Sequence, residues 1–202
     1  HDSRWHFGAP TDSSATATDE PLALPAALSR LEQARIDVAF LAFHGTFGED
    51  GRVQAVLELT GIPYTASKVT ATAVAMDKPM ARRVLASWGL TVARAVELDV
   101  ADVNRLGVEA TADRLVQELG LPVVLKVPAG GSSVGIEIPA ARDEVVASLK
   151  RLTVGVEVLL CEQFVTGVEL TAAVLADEAG RLQALPIVEI APKGERFFDY
   201  EA

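Results

Sequence analysis

Hydrophobic positions change their spacing several times along the chain, and each change marks an element. Leu24 to Ala34 carries Leu28 and Leu31 on one side at helical spacing. Ile36 to Phe43 is an apolar run of strand length, which predicts a strand buried on both faces. Val53 to Leu59 returns to helical spacing and stops at Gly61, a fitting C-terminal cap, before Ile62-Pro63-Tyr64 resumes as a short strand. Strand, helix, strand in that order is the unit of a parallel sheet.

A second style begins near Asp77. Asp77 suits an N-cap, Pro79 suits a first helical turn, and Met80 to Trp88 has helical periodicity that Gly89 ends. Further strands are expected over Leu90–Leu98, Val123–Val127 and Val156–Val165, with helices over Ala112–Leu119 and Arg142–Leu152. Glu169–Ala176 and Leu182–Ile190 read as two strands of a hairpin turning through Asp177-Glu178-Ala179-Gly180. Residues 1–21 are polar and rich in Ser, Thr, Ala and Asp, which reads as loop. The layout is a parallel α/β piece, a mixed α+β piece and the start of another sheet.

Composition narrows the function. Half of the 202 residues are hydrophobic, enough for a globular core. The 28 acidic against 18 basic residues give a net charge of −10, which argues against nonspecific binding to nucleic acid or to an acidic membrane. A single cysteine, Cys161, has no internal disulfide partner, so a reducing compartment, the cytoplasm, is the expectation. No apolar run reaches transmembrane length and no signal-peptide pattern opens the chain. The chain starts at His1 instead of Met, and a missing natural N-terminus is therefore expected.

Several stretches carry candidate chemistry. His44-Gly45-Thr46-Phe47-Gly48-Glu49-Asp50-Gly51 follows the first strand, where parallel sheets bind ligands. Its glycines allow close backbone approach. Equally, it is a turn whose Glu49 and Asp50 favour the start of the next helix. Lys126 ends a strand and precedes Gly130-Gly131-Ser132-Ser133-Val134-Gly135. Backbone N–H groups, hydroxyls and a mobile cation are what phosphate recognition needs, and the order is not that of a Walker A loop. A snorkelling lysine beside a flexible loop is the plainer alternative. Lys78 sits at a helix start, where a cation opposes the dipole, and by itself reads as a surface lysine. Cys161-Glu162-Gln163-Phe164-Val165, with Glu169 beyond Gly167, could hold a nucleoside through backbone groups and a carboxylate. Taken singly, Glu162 and Glu169 read as surface residues. Phe197-Phe198-Asp199-Tyr200-Glu201-Ala202 suits a lid or a strand edge.

In order and spacing, HGTFGEDG at 44–51, LELTGIPYTAS at 57–67, AMDKPMARRVL at 75–85, LPVVLK at 121–126, GGSSVG at 130–135, EQFVTGVEL at 162–170 and FFDYEA at 197–202 resemble the D-alanine–D-alanine ligase family. The resemblance runs from about Ile36 to Ala202. It implies an ATP-grasp fold, here truncated: residues 1–75 from an N-terminal substrate domain, 76–164 as the central domain and 165–202 opening the C-terminal domain. It implies that Lys78 and Lys126 contact ATP phosphates. Glu162 would meet the adenine amino group, Gln163, Phe164 and Val165 would form the backbone hinge, and Glu169 would reach the ribose. Ser132 and Ser133 would lie over the phosphates and the first substrate, His44 would help bind the first D-alanine, and Tyr200 would lie on the lid.

The same resemblance implies the substrates ATP and D-alanine, Mg²⁺ as the ion, a role in peptidoglycan synthesis and, as is common in the family, a homodimer. The family's metal ligands are expected beyond Ala202, so the fragment alone is expected to be inactive. Other readings are a related ATP-grasp ligase, such as a D-alanine–D-lactate ligase, or a non-catalytic nucleotide-binding remnant. FFDYEA favours the dipeptide enzyme. Phe198 stands where many relatives have tyrosine, and Val127-Pro128 replaces a proline directly after the lysine.

Overall fold

The structure is a computed structural model that describes residues 5, 7, 20–129, 135–177 and 179–191. The chain divides into two compact units, His1–Ala75 and Met76–Ala202.

The first unit contains α1 (Leu24–Gln33), α2 (Arg52–Leu59) and nearly all of α3 (Val69–Met76). Leu31, Val53, Leu57 and Ile62 form its core, with Trp5, Phe7, Ile36, Leu41, Phe47 and Tyr64 packed around them. The end of α2 shows how the sequence sets a boundary. Gly61 takes φ +69, its N–H donates to the Glu58 carbonyl at 3.2 Å, and Ile62 N–H donates to Leu57 at 3.0 Å. This left-handed cap turns Ile62 back into the core.

Two expectations change in this unit. Residues 36–43 do not form a strand buried on both faces. They are held at one parallel bridge, Ala39 to Tyr64, and Val38, Phe40 and Phe43 are exposed. A continuous apolar run can signal two covered faces, but only one neighbour pairs with this one among the described residues. Trp5 also departs from the loop reading. It exchanges 2.8 Å backbone hydrogen bonds with Leu22, and its ring meets Phe47 edge-on.

The second unit is built on a four-stranded sheet in the order β1-β4-β2-β3, formed by β1 (Ala95–Asp99), β2 (Val123–Lys126), β3 (Ile136–Glu137) and β4 (Val158–Gln163). Every neighbouring pair is antiparallel. Val96, Leu98, Val123, Leu125, Leu159 and Cys161 share one face and meet Leu115 and Leu119 of α6 (Val108–Leu119) and Val145 and Leu149 of α7 (Arg142–Leu152). Each fully buried leucine in this layer contributes about 2 kcal/mol by leaving water. The alternate residues Glu97, Val124, Lys126, Leu160 and Glu162 point to the opposite face. There α4 (Lys78–Ser87) is tied to the sheet by its basic side chains. A short α5 (Val100–Leu106) joins β1 to α6.

The final hairpin is interrupted where two continuous strands were expected. β5 (Glu169–Thr171) pairs with β8 (Val188–Ile190), and β6 (Val174–Ala176) pairs with β7 (Leu182–Ala184). Pro186 lies in the gap and has no N–H to give the ladder, while Leu185 N–H still donates to Ala173 at 2.8 Å. No helix among the described residues is long and apolar enough to cross a membrane.

Candidate nucleotide site

Three of the candidate residues, Lys78, Lys126 and Glu162, come together at the polar sheet face. Asp77 caps α4 by accepting from Met80 N–H at 2.9 Å, and Pro79 occupies the first turn. This fixes where α4 begins and sets Lys78 and Arg82 one turn apart on the same side. Lys78 reaches back over the end of β2. Its backbone N–H donates to Pro128 at 3.2 Å, and its Nζ lies 3.4 Å from the Val127 carbonyl and 3.5 Å from that of Pro128. Burial, followed by the nearby charge of Lys126, holds the Lys78 amine below its ordinary pKa, while Glu162 and Asp77 oppose the shift.

Glu162 is the centre of this face. It is buried, contrary to its reading as a surface residue, and both of its oxygens are ion-paired. Oε1 accepts from Arg82 Nη1 at 2.7 Å, and Oε2 meets Lys126 Nζ at 2.6 Å. Lys126 is thus not an unpaired charge at a strand end. The register explains the meeting, because Lys126 faces Leu160 and Val124 faces Glu162 across the β2–β4 pair. A second Arg82 nitrogen, Nη2, donates to the carbonyl of Ala93. Arg82 has no place in the sequence-level site. Its spacing from Lys78, four residues on in a helix, puts the two on one side, but only the fold brings it to Glu162.

The residues expected to form the hinge continue from β4. Gln163 N–H donates to the Arg94 carbonyl at 2.8 Å, and its side-chain oxygen accepts from Arg94 Nε at 3.1 Å. Phe164 and Val165 lie past the last register pair, Val123 with Gln163. Glu169 is exposed on β5 opposite Ile190, in a separate two-stranded sheet. Ser132, Ser133 and Tyr200 lie outside the described residues. Gly135, closing the Gly/Ser stretch, has φ +75 and accepts from Val127 N–H at 3.0 Å.

In the first unit, exposed His44 precedes a loop organised by its own carboxylates. Glu49 accepts from Gly45 N–H at 2.5 Å. Asp50 accepts from Phe47 N–H at 2.8 Å and from Arg52 N–H at 3.1 Å. Glu49 and Asp50 therefore act as the turn reading has it, folding the loop and starting α2. The loop is tight: a Cβ at Gly48 would stand 2.1 Å from Phe43 Cβ.

Two family models match the chain: D-ala D-ala ligase N-terminus over residues 6–67 and D-ala D-ala ligase C-terminus over residues 84–202. A D-alanine–D-alanine ligase of Carboxydothermus hydrogenoformans is 40% identical over 172 residues, covering 85% of this chain and 54% of the relative. The solved ligase of Coxiella burnetii superposes with a TM-score of 0.66 at 31% identity, over 76% of this chain and 44% of that one. The Bacillus anthracis ligase complexed with ATP gives 0.61 at 30% identity, over 78% and 49%. The chain spans about half the length of the curated relatives it matches. Its fold is the corresponding part of an ATP-grasp ligase, and the chain belongs to the D-alanine–D-alanine ligase family.

Proposed function

We propose that the chain supplies the nucleotide site of an ATP-dependent carboxylate–amine ligase that joins two D-alanines for peptidoglycan synthesis. The observation that carries this reading is the cluster on one sheet face, where Lys126 and Arg82 share the Glu162 carboxylate beside Lys78. Two amines next to a carboxylate held by Arg82 suit a molecule with phosphates at one end and an amino-bearing base at the other.

In this reading Lys78 and Lys126 bind the phosphates, Glu162 accepts from the adenine amino group, and the backbone of Gln163, Phe164 and Val165 borders the base. Glu169 serves the ribose, and His44 serves the first D-alanine. Ser132 and Ser133 cover the phosphates, and Tyr200 belongs to the lid. A carboxylate oxygen of one D-alanine attacks the γ-phosphorus, and the bond to the ADP oxygen breaks. The free amine of a second D-alanine then attacks the acyl carbon. Phosphate departs, and the new amide nitrogen loses a proton. The lysines stabilise charge on the transferring phosphoryl group. Mg²⁺ would supply further charge neutralisation. Among the described residues no group of three or more His, Cys, Asp or Glu could hold a metal ion, so no step is assigned to one.

A cytoplasmic location and a homodimer belong to the same proposal. Phosphate release from MgATP with D-alanine, D-lactate, D-serine or L-alanine tests it, on the 202-residue chain and on any longer polypeptide that contains it. Release that requires D-alanine alone, with the dipeptide as product, is expected of the active protein. ATP binding without release for any of the four would favour the binding-only reading. Release driven by another acceptor would redirect the second-substrate assignment.

A further inference from the structure

Glu162 is shared by two cations that differ in what they can do next. Lys126 carries its charge on a flexible four-carbon stem at the end of β2, next to a second amine, Lys78. Arg82 is held at two points, with Nη1 on Glu162 Oε1 at 2.7 Å and Nη2 on the Ala93 carbonyl. A planar guanidinium satisfies two acceptors at once, where an ammonium acts as a point charge. The Ala93 tether also lies beside the hinge, because the next residue, Arg94, accepts the Gln163 N–H.

We infer that Arg82 is a positioning residue of the nucleotide site, holding Glu162 in place when Lys126 leaves it for a phosphate and so setting selectivity for a 6-amino purine. The inference rests on the nucleotide reading above. In the structure Lys126 occupies Oε2. An arriving phosphate competes for that amine and vacates Oε2, which becomes an acceptor for a base amino group. Oε1 stays on Arg82, so the carboxylate neither follows Lys126 nor swings away. A 6-oxo purine presents an acceptor at the same place and is refused. A site built to receive an N–H discriminates strongly against a partner that lacks it, because the buried carboxylate oxygen is left unpaired.

The test is calorimetric titration of the 202-residue chain with ATP and with GTP, for the natural sequence, Arg82→Gln and Arg82→Lys. ATP should bind better than GTP to the natural sequence. Arg82→Gln should weaken ATP by about tenfold with GTP nearly unchanged, so that selectivity collapses. Arg82→Lys should fall between, since it can hold one acceptor and not both. A merely structural arginine would lower the melting temperature and weaken both nucleotides alike. ATP affinity within about twofold of the natural sequence, or equal losses for ATP and GTP, overturns the inference. Should Arg82→Gln fail to fold, unchanged selectivity in Arg82→Lys overturns it and reduced selectivity supports it. A natural chain that binds neither nucleotide overturns the nucleotide reading itself, and the role of Arg82 with it.

Discussion

Lys126 and Glu162 come from neighbouring strands that run in opposite directions, and their charged ends meet at 2.6 Å on the sheet face turned away from α6 and α7. Removing the carboxylate leaves two partly buried cations, Arg82 and Lys126, facing each other. Glu162→Gln should therefore cost about 3 kcal/mol in urea denaturation. Adding Lys126→Met to Glu162→Gln should return part of that loss, because one stranded charge goes. Strict additivity of the two substitutions would sink this account of the cluster.

Asp77 starts α4 through one hydrogen bond, from Met80 N–H to its carboxylate at 2.9 Å. Asp77→Ala should destabilise the chain by about 1 kcal/mol, and Asp77→Asn by much less, since asparagine caps as well as aspartate. The shift of the denaturation midpoint is the measurement. Equal losses for the two substitutions would assign the effect to charge instead of the cap.

Much of this was readable from residues whose local and tertiary demands agree. The bounds Arg142–Leu152 expected for α7 are those observed. Its first turn holds Asp143 and Glu144, its last holds Lys150 and Arg151, and Glu144 accepts from Ala140 N–H at 2.8 Å. α3 was not legible, because Val-Thr-Ala-Thr-Ala-Val-Ala-Met has no polar face to set a period, and none of its residues is buried. The 36–43 run misled for the converse reason: hydrophobicity reports what a segment can bury, not what lies beside it. At the site, Lys126 stood out as a charge closing an apolar strand. Arg82 did not, since arginines on helices are usually solvated and only the fold brings it to Glu162.

Burial, then the neighbouring Glu162 charge, pushes the Cys161 thiol up from 9.0 to about 12. In the unfolded chain the thiol ionises first, so the folded form gains protons relative to it as pH rises. The stability contributed by keeping the thiol neutral is complete below about pH 9 and is lost as pH climbs towards about 12. Native protein should not react with a thiol reagent at pH 8, and reaction should track unfolding. Cys161→Ala should flatten this part of the alkaline stability curve. Rapid labelling of fully folded protein would contradict the buried assignment.

Gly135 has φ +75, and a Cβ there would stand 2.6 Å from Val127 Cγ2. Gly135→Ala combines left-handed strain with this clash and should cost about 1–2 kcal/mol or more. Val127→Ala in the same chain removes the clash but not the strain, so the pair should lose less than the two single substitutions added together. Thermal melts of the four chains decide it.

The alternation of β4 makes the ionic face a matter of parity. Leu159 and Cys161 belong to the helix-covered layer, and Leu160 and Glu162 to the other. A one-residue insertion or deletion between Val158 and Glu162 would send the carboxylate into the apolar layer and a hydrophobic side chain into the ionic one. A two-residue change would preserve the sidedness. Length variation among chains of this architecture should accordingly be barred from this strand in odd steps and find its outlet in the loops at either end.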